Sequence, residues 1–326
     1  MRVLVTGAQG FIGRAVVVGL RERGWKVTAL DLTPPAQPLP QDVDVVTADI
    51  RATDQWRPAL DGIDAVVHLA SAHLQVDLPE SVYWETNVRS LRPLLEASRA
   101  AGVTHFVHTS SVGVHGSLAS VPGDENSPLA PENLYEKTKA AGEAEVVAFL
   151  PEAAPLGVTI VRPAWVYGPG DPRTERILGA VARGRFIMFG AGRNQRHPIF
   201  IDDYVAGVAQ ILLQPHSFGR TYILAGPASL TSRELVAAAE RVTGGRTRLR
   251  VPLALGYAAG LGVEIGCRIV GAAPPISRRT LAFFTNQNAF DTARARRELG
   301  FAPAVGIADG FQRVWDAMQR FTPARH

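Results

Sequence analysis

Cysteine and lysine are nearly absent from this chain of 326 residues. Cys267 is the only cysteine, so no disulfide can form within the chain, and a reducing compartment such as the cytoplasm is expected. Arginine supplies almost all of the positive charge, because only Lys26, Lys137 and Lys139 are lysines. Two of these three lysines lie in one short segment, 132–146, which suggests that this segment has a use for an ammonium group.

The sequence also lacks a long basic run, a signal peptide and an unbroken apolar stretch. The net charge is only +4 and the basic residues are dispersed, which argues against nucleic acid as a partner. The chain enters a glycine-rich motif at once, without the charged and apolar regions of a signal peptide. The most apolar segment, 251–276, is interrupted by Glu264 and Arg268, so it is predicted as a buried or pocket-lining helix and not as a membrane span.

Short β-branched segments alternate with helical patterns through the first half of the chain. The predicted strands are 2–6, 26–30, 43–48, 64–70, 105–110 and 158–163. The predicted helices are 11–23, about 80–101 and 133–149. Several strands are almost continuously apolar, as expected of parallel strands that are covered on both faces. The alternation predicts an α/β fold with a doubly wound parallel (Rossmann) sheet.

The sequence pattern changes after Gly168, where turn residues, a predicted helix and short predicted strands follow one another. We expect a smaller, mixed and mostly helical C-terminal lobe that binds the substrate. The predicted boundaries are 1–168 for an NAD-binding Rossmann domain and 169–326 for the substrate-binding lobe. Segments near 199–225 are expected to return to the first domain.

A glycine triplet follows the first predicted strand and opens the first helix. Gly7, Gly10 and Gly13 form a G-x-x-G-x-x-G pattern in that context. Glycine permits a tight turn and a close approach of the backbone to a pyrophosphate, which then lies at the helix N-terminus. The pattern therefore predicts a dinucleotide site.

Acidic residues at the ends of the second and third strands indicate which dinucleotide binds. Asp31 ends the second strand, where a carboxylate accepts both hydroxyls of the adenine ribose and repels a 2′-phosphate. We therefore predict NAD in preference to NADP. Asp49 and Ile50 follow the third strand and could bracket adenine; the alternative for Asp49 is a turn or a helix cap.

A tyrosine and a lysine four residues apart are predicted to share one face of a helix. An ammonium group at Lys139 would favour the phenolate of Tyr135 and lower its pKa, which suits acid–base chemistry. Ser111 lies where the fifth strand meets its loop, and ligands bind at the carboxyl ends of strands in such sheets. Its hydroxyl could bond the substrate oxygen that Tyr135 protonates or deprotonates.

These features together resemble the extended short-chain dehydrogenase/reductases, the NAD-dependent epimerase/dehydratase family. The matching pieces, in family order, are TGAQGFIG (6–13), Asp31, HLAS (68–71), TSS (109–111), YEKTK (135–139), RPAWVYGPGD (162–171), HPIFIDDYVAG (197–207) and ARRELGFAP (295–303). The resemblance covers nearly the whole chain. It carries features of nucleotide-sugar 4-epimerases and also of hydroxysteroid dehydrogenase and dihydroflavonol reductase relatives.

The resemblance implies a role for several residues. Tyr135 is implied as the catalytic acid/base, Lys139 as its partner that also binds the ribose, and Ser111 as the substrate-orienting hydroxyl. Pro163 is implied beside the nicotinamide and Asn87 near the substrate. Further cofactor contacts are implied for Phe11, Ile12, Leu69 and Ala70. A homodimer formed through helices of the first lobe is expected on the same ground.

Two departures from the family pattern limit the chemistry. Dehydratases of the family carry an Asp-Glu pair just after the active-site hydroxyl, whereas this chain has Val112 and Gly113 there. Dehydration is therefore disfavoured. His115 replaces a frequent tyrosine; it either touches the substrate or simply fills the place of the ring.

The substrate is predicted less closely than the chemistry. Arg196 matches an arginine that grips the pyrophosphate in nucleotide-sugar epimerases, and Arg279 or its neighbour Arg278 matches a second one loosely. The apolar segment 251–276 and the sequence RPAWVYGPGD indicate instead that the substrates are apolar alcohols. The leading hypothesis is a nucleotide-sugar epimerase, and the alternative is an NAD-dependent dehydrogenase or ketoreductase of an apolar alcohol. A third hypothesis is a non-catalytic NAD-sensing protein.

No metal site is predicted, because the histidines are isolated and a single cysteine offers no thiolate cluster. His105 and His108 have odd spacing on a strand, so they face opposite sides and cannot chelate one ion together. No G-x-S-x-G elbow surrounds Ser111, which argues against a hydrolase.

Overall fold

The computed structural model describes residues 1–73, 78–258 and 278–321. Most of the apolar segment 251–276, including Glu264, Cys267 and Arg268, therefore lies outside the described residues. The side chains of residues 278–280 and 321 lie outside them as well.

Seven parallel strands form the central sheet. They are β1 (Arg2–Thr6), β2 (Lys26–Asp31), β3 (Asp44–Thr47), β4 (Ala65–His68), β5 (His105–Thr109), β6 (Gly157–Pro163) and β11 (Thr221–Leu224). Their order across the sheet is β11-β6-β5-β4-β1-β2-β3. The six strands predicted from the sequence are all present, and every neighbouring pair is parallel. The predicted doubly wound Rossmann sheet is thereby confirmed.

Helices cover both faces of this sheet. The first eight are α1 (Phe11–Glu22), α2 (Thr53–Trp56), α3 (Glu80–Trp84), α4 (Leu91–Ala100), α5 (Leu134–Phe149), α6 (Pro172–Ala182), α7 (Ile201–Leu212) and α8 (Ser232–Thr243). Later helices include Arg278–Thr285, Ala293–Leu299 and Ile307–Phe321. Between α3 and α4 the chain makes one π-helical segment, Glu85–Arg89, so the single helix predicted over 80–101 is interrupted.

Two apolar cores lie on opposite faces of the sheet, because successive strand residues alternate between the faces. On one face Val3 and Val5 pack with residues of α1 and α7, such as Leu20 and Tyr204. On the other face Leu4 packs with residues of α4 and α5. Both faces of the strands are therefore buried, which explains their nearly continuous apolar sequences.

The remaining strands form three small sheets beside the main one. They are β7 (Trp165–Tyr167), β8 (Ile187–Phe189), β9 (Gln195–Arg196), β10 (Pro198–Phe200), β12 (Leu230–Thr231) and β13 (Leu249–Val251). The pairs are β7 with β10, β9 with β12, and β8 with β13. After α7 the chain re-enters the main sheet as its edge strand β11, while the boundary between the two lobes at residue 168 stays a prediction.

Within the described residues, no helix is both long enough and apolar enough to cross a bilayer. The same residues contain no group of three or more His, Cys, Asp and Glu side chains that could hold a metal ion.

Candidate active site

A glycine turn between β1 and α1 packs closely against the backbone around it. Gly7 has a φ of +69°, and a Cβ there would lie 2.7 Å from the amide nitrogen of Ala70. A Cβ on Gly13 would collide with the carbonyl oxygen of Gly7. α1 starts at Phe11 after Gly10, and no side chain of the described residues caps its first amides. The turn therefore presents backbone amides at the end of the sheet, as a pyrophosphate requires.

The carboxylate of Asp31 lies beside this turn. Its Oδ2 accepts a hydrogen bond from the amide of Gln9 at 2.8 Å, and its Oδ1 accepts one from the amide of Thr33 at 3.2 Å. The side-chain nitrogen of Gln9 is buried and has no hydrogen-bond partner among the described residues. The glycine turn, this carboxylate and this spare donor fit an NAD molecule, and the contact of Asp31 with the adenine ribose stays a prediction.

Asp49 is occupied by its neighbour Arg51. The two side chains form an ion pair at 2.6 Å, and the Asp49 carboxylate also accepts from the amide of Arg51. The hydrogen bond from Arg51 lowers the pKa of Asp49 below its ordinary value. Ile50 is buried beside it. The turn that the sequence left open for Asp49 is present, and the adenine contacts of Asp49 and Ile50 stay a prediction.

Thr6 fixes the segment that follows β4. Its hydroxyl oxygen accepts from the amides of Leu69 at 3.2 Å and Ala70 at 3.1 Å, and it lies 2.8 Å from Nδ1 of His68. Leu69 and Ala70 are thereby held against the glycine turn, where the family resemblance expects cofactor contacts. Nothing in the sequence singles out Thr6, because a threonine at the end of a strand is an ordinary β residue.

Helix α5 carries Tyr135 and Lys139 on one face. A capping box fixes its start: the Asn133 side chain accepts from the amide of Glu136, and the Glu136 carboxylate accepts from the amide of Asn133. Lys139 is buried, and its Nζ donates to the carbonyl oxygen of Thr109 at 2.8 Å. Because Thr109 ends β5, this hydrogen bond ties the helix to the strand that leads into the predicted active-site serine.

Ser111 meets the tyrosine of α5. Its Oγ accepts from the amide of Gly113 at 3.0 Å at the start of a 3₁₀ turn, Val112–His115. The side chain of Ser111 lies close enough to Tyr135 to lower the pKa of its phenol. The structure thus brings together the serine, tyrosine and lysine that the sequence predicted as a catalytic group.

Burial controls the protonation of both groups on α5. It lowers the pKa of Lys139 to about 8, and the charge of Glu143 acts against this change. It raises the pKa of Tyr135 above its ordinary value, while the Ser111 side chain and the charge of Arg173 lower it. The net shift of the Tyr135 pKa is therefore upward, not downward as the sequence predicted, and Tyr135 is a neutral acid near pH 7.

Asn87 joins two elements of the site. Its Oδ1 accepts from the hydroxyl of Ser71 at 3.0 Å and from the amide of Ala72 at 2.8 Å. Its Nδ2 donates to the carbonyl oxygen of Ala72 and to the hydroxyl of Thr138, both at 3.0 Å. These bonds use the whole amide. In place of the predicted substrate contact, the geometry supports Asn87 as a link between the loop after β4 and α5.

His115 is buried with both ring nitrogens engaged. Its Nδ1 lies 3.1 Å from the carbonyl oxygen of Pro128, and its Nε2 lies 3.2 Å from Nη1 of Arg162. Burial lowers the pKa of His115, so the ring accepts from the guanidinium as a neutral base. The structure favours the second of the two predicted roles, in which the histidine fills the place of a family ring and does not touch the substrate.

Arg196 is bound to the end of a helix. Its Nε donates to the carbonyl oxygen of Phe283 at 3.0 Å, and its Nη2 donates to that of Ala282 at 2.9 Å. The guanidinium lies 4.6 Å from the centre of the Phe283 ring. Burial lowers the pKa of Arg196 to about 9, and the charge of Arg173 acts in the same direction. The predicted pyrophosphate contact would have to be made by a guanidinium that already caps Arg278–Thr285.

Two other predicted residues have more general positions. Pro163 ends β6, pairs with Leu224 of β11 and is buried at the carboxyl end of the sheet. The nicotinamide contact expected there stays a prediction. Arg278 and Arg279 begin the helix Arg278–Thr285, and their side chains lie outside the described residues.

Aromatic and cationic side chains pack in two groups, one at Tyr135 and one at Trp165. The ring of His73 meets Tyr135 edge-on, with centroids 4.7 Å apart. The guanidinium of Arg173 lies 5.6 Å from the Trp165 ring, and Trp165 meets Phe283 edge-on at 6.1 Å. Their spacing along the chain gives no sign that they share a site, because three separate segments supply them.

The packing around Gly113 explains one departure from the family. A Cβ at this position would lie 3.0 Å from Cγ of Glu136 and 3.2 Å from Oγ of Ser111. Val112, the other replaced position, is buried in a small apolar cluster. A side chain at residue 113 would therefore press on the capping-box glutamate and on the serine, and the expectation that dehydration is disfavoured stays a prediction.

Residues 3–225 match the model of a known family, described as the NAD-dependent epimerase/dehydratase family. The matched part contains the glycine turn, Ser111, Tyr135 and Lys139. The resemblance predicted from the sequence is confirmed by this match.

Relatives differ in what their names describe. The chain is 32% identical to a dTDP-glucose 4,6-dehydratase of Streptomyces griseus, over 94% of this chain and 91% of that protein. It is 31% identical to sterol demethylase protein B of Methylococcus capsulatus, over 93% and 94% of the two chains. The solved structure of MoeE5 with UDP-glucuronic acid and NAD is similar at a TM-score of 0.79 and 25% identity, covering 98% of this chain and 99% of that one.

Proposed function

The chain belongs to the NAD-dependent epimerase/dehydratase family, and on this premise we propose that it transfers hydride at the carbon of a secondary alcohol or ketone. The catalytic residues are Ser111, Tyr135 and Lys139. The observation that carries this proposal is the hydrogen bond from Lys139 to the Thr109 carbonyl oxygen, which holds α5 against the end of β5 and so sets Tyr135 beside Ser111. Two hydroxyls thereby converge at the carboxyl end of β5, where one substrate oxygen can meet both.

Each side chain has a separate task in this reaction. NAD, when bound, supplies the hydride acceptor, or the donor in its reduced form. Tyr135 donates a proton to the ketone oxygen in reduction, and in oxidation its tyrosinate form accepts the proton of the alcohol. Ser111 hydrogen-bonds the same oxygen. Lys139, charged below its pKa of about 8, stabilises the tyrosinate that remains after proton donation.

The surroundings of Tyr135 favour an apolar ketone or alcohol as the substrate. The arginine best placed by sequence to grip a diphosphate, Arg196, has two nitrogens bonded to carbonyl oxygens at a helix end. The Trp165 and Phe283 rings meet edge-on at that helix, and the Arg196 guanidinium lies over the Phe283 ring. A flat apolar molecule can stack on such rings without any loss of arginine contacts. A ketoreductase or dehydrogenase is therefore the reading that the site supports best.

A nucleotide-sugar epimerase is the second candidate, and the positive charge of Arg173 is the feature of the site that favours it. Its positive charge acts on both Tyr135 and Arg196, so the site has a cationic side that suits an anionic substrate. In this reaction hydride leaves one face of the sugar carbon and returns to the other, with no net change in the cofactor. Relatives named for dTDP-glucose and UDP-glucuronic acid support this candidate.

The cofactor content and redox state of the freshly purified protein separate the two candidates. The protein is incubated with hydroxysteroids and other apolar secondary alcohols in one series, and with UDP-hexoses and UDP-hexuronates in another. Stoichiometric NADH from an apolar alcohol supports the dehydrogenase. Interconversion of sugars without net NADH supports the epimerase. Tyr135→Phe is the matched control, because it removes one hydroxyl and should abolish either reaction.

If the wild type turns over no substrate in either series, and so behaves like Tyr135→Phe, the result would count against hydride chemistry. Tight NAD binding in the same preparations would then favour the non-catalytic NAD-sensing hypothesis.

A further inference from the structure

Three ionisable residues follow one another along a single face of α5. Tyr135, Lys139 and Glu143 are spaced four residues apart, so their side chains lie one above the other on the helix. Lys139 and Glu143 are both only 4% exposed. Burying a charged glutamate one turn beyond the active-site lysine costs free energy unless the carboxylate is paired. The residue that pairs with Glu143 therefore indicates the role of this position.

The partner of Glu143 is Arg162 on β6. The Arg162 Nε donates to Oε1 of Glu143 at 2.9 Å, and its Nη2 donates to Oε2 at 2.6 Å. This two-pronged geometry fixes the plane of the carboxylate as well as its position. The third nitrogen of Arg162 donates to the carbonyl oxygen of Glu125 at 2.9 Å and contacts His115. All three nitrogens of the Arg162 guanidinium therefore have partners, and the side chain links α5 to the strand that ends at Pro163.

Among the residues that the structure describes, the other charged or titratable groups around Lys139 provide no negative charge. His68 on β4 and His108 on β5 lie within reach of the ammonium and are kept neutral by burial. Tyr135, on its own helix, is a neutral acid. Glu143 is the carboxylate whose charge acts on Lys139. Without it, burial alone would decide the charge of this lysine.

We propose that Glu143 and Arg162 are positioning residues of the catalytic helix. Arg162 fixes the Glu143 carboxylate, and that carboxylate keeps Lys139 as an ammonium group one turn from Tyr135. The inference rests on the proposed function in one respect: the proposed hydride transfer needs Lys139 in its charged form. The buried pair thus acts on the reaction through Lys139 and touches neither substrate nor cofactor.

The small number of lysines makes the test direct. The protein is labelled with ¹³C-lysine, and the side-chain NMR signals of Lys26, Lys137 and Lys139 are titrated with pH; Lys26→Arg and Lys137→Arg assign them. In the wild type we expect Lys139 to titrate near pH 8. In Glu143→Gln its midpoint should fall by about one pH unit, because an opposite charge nearby is lost. Lys26 and Lys137 should not move.

Three further variants make the result specific. Glu145→Gln removes a carboxylate two residues along the same helix and should leave the Lys139 midpoint unchanged. Arg162→Lys keeps a cation beside Glu143 and should also leave it close to wild type. If Glu143→Gln does not fold, the double variant Glu143→Gln/Arg162→Gln leaves no charge unpaired, and its midpoint should still fall.

An unchanged Lys139 midpoint in the folded Glu143→Gln or double variant would overturn the inference, as would an equal shift in Glu145→Gln. The titration is carried out without substrate. It therefore reports on the pair even if the alcohol and sugar assays fail, and those assays report on the proposed function whatever the titration shows.

Discussion

The carbonyl oxygen of Thr109 accepts a hydrogen bond from Nζ of Lys139 at 2.8 Å. This contact joins the middle of α5 to the end of β5, the strand that leads into Ser111. Lys26 and Lys137, by contrast, are exposed. The chain uses arginine almost everywhere, and at this buried position a compact ammonium fits where a planar guanidinium would need more room and more acceptors.

Lys139→Arg should therefore lose most turnover, by on the order of 10²-fold or more in kcat, because the larger group cannot keep both the Thr109 contact and its place beside Tyr135. The matched control is Lys137→Arg, which makes the same chemical change on the exposed side of the helix. Steady-state kinetics on a substrate identified by the panel above, together with melting curves, measure the effect. Equal activity of the two folded variants would contradict it.

The features that the sequence could predict are those set by local spacing. The strands, the glycine turn, Asp31 and the tyrosine–lysine pair each lie within one element or at its end, so periodicity and turn chemistry reveal them. Other contacts join segments far apart in the chain: Arg196 bonds a carbonyl 87 residues away, and Asn87 bonds a threonine 51 residues away. No local pattern specifies such partners, and the roles of Asn87 and Arg196 were accordingly the least well predicted.

The choice of cofactor provides a second test. Asp31→Asn should weaken NAD binding by about tenfold, because a charged acceptor for the ribose hydroxyls becomes a neutral one. It should also narrow the preference for NAD over NADP, since the repulsion of a 2′-phosphate disappears. Dissociation constants for both dinucleotides, obtained by calorimetry, measure this. The control is Asp42→Asn, an exposed carboxylate that pairs with Arg21; an equal loss of NAD affinity there would contradict the assignment.

The site is not expected to become a dehydratase through one substitution. Gly113→Glu should give no water loss from a nucleotide sugar and should lower the main activity, because the new side chain meets Glu136 and the Ser111 hydroxyl. Gly113→Ala is the milder control, and it should lose less of the main activity than Gly113→Glu does. Product analysis by mass spectrometry detects an 18-dalton loss if dehydration occurs. Dehydration by Gly113→Glu at a rate comparable to hydride transfer would show that the packing argument is wrong.

Two buried histidines beneath Lys139 should limit stability in acid. His68 and His108 stack with ring centroids 5.7 Å apart, and burial lowers the pKa of His68 to about 3 and that of His108 well below its ordinary value. The unfolded chain binds a proton at each histidine near pH 6.5, whereas the folded chain does not. Their contribution to stability is therefore complete above about pH 6.5 and is lost as the pH falls toward 3.

His108→Leu should reduce this acid sensitivity. Both ring nitrogens of His108 are buried and have no hydrogen-bond partner among the described residues, so the apolar replacement forfeits no bond there. At pH 5 one such histidine costs the folded state about 2 kcal/mol relative to pH 7 or above. Urea unfolding at both pH values should show a smaller difference in the free energy of unfolding for His108→Leu than for the wild type. The exposed His216 provides the control, since His216→Gln should keep the wild-type difference. If both variants lose stability in acid as the wild type does, groups other than His108 govern the acid limb.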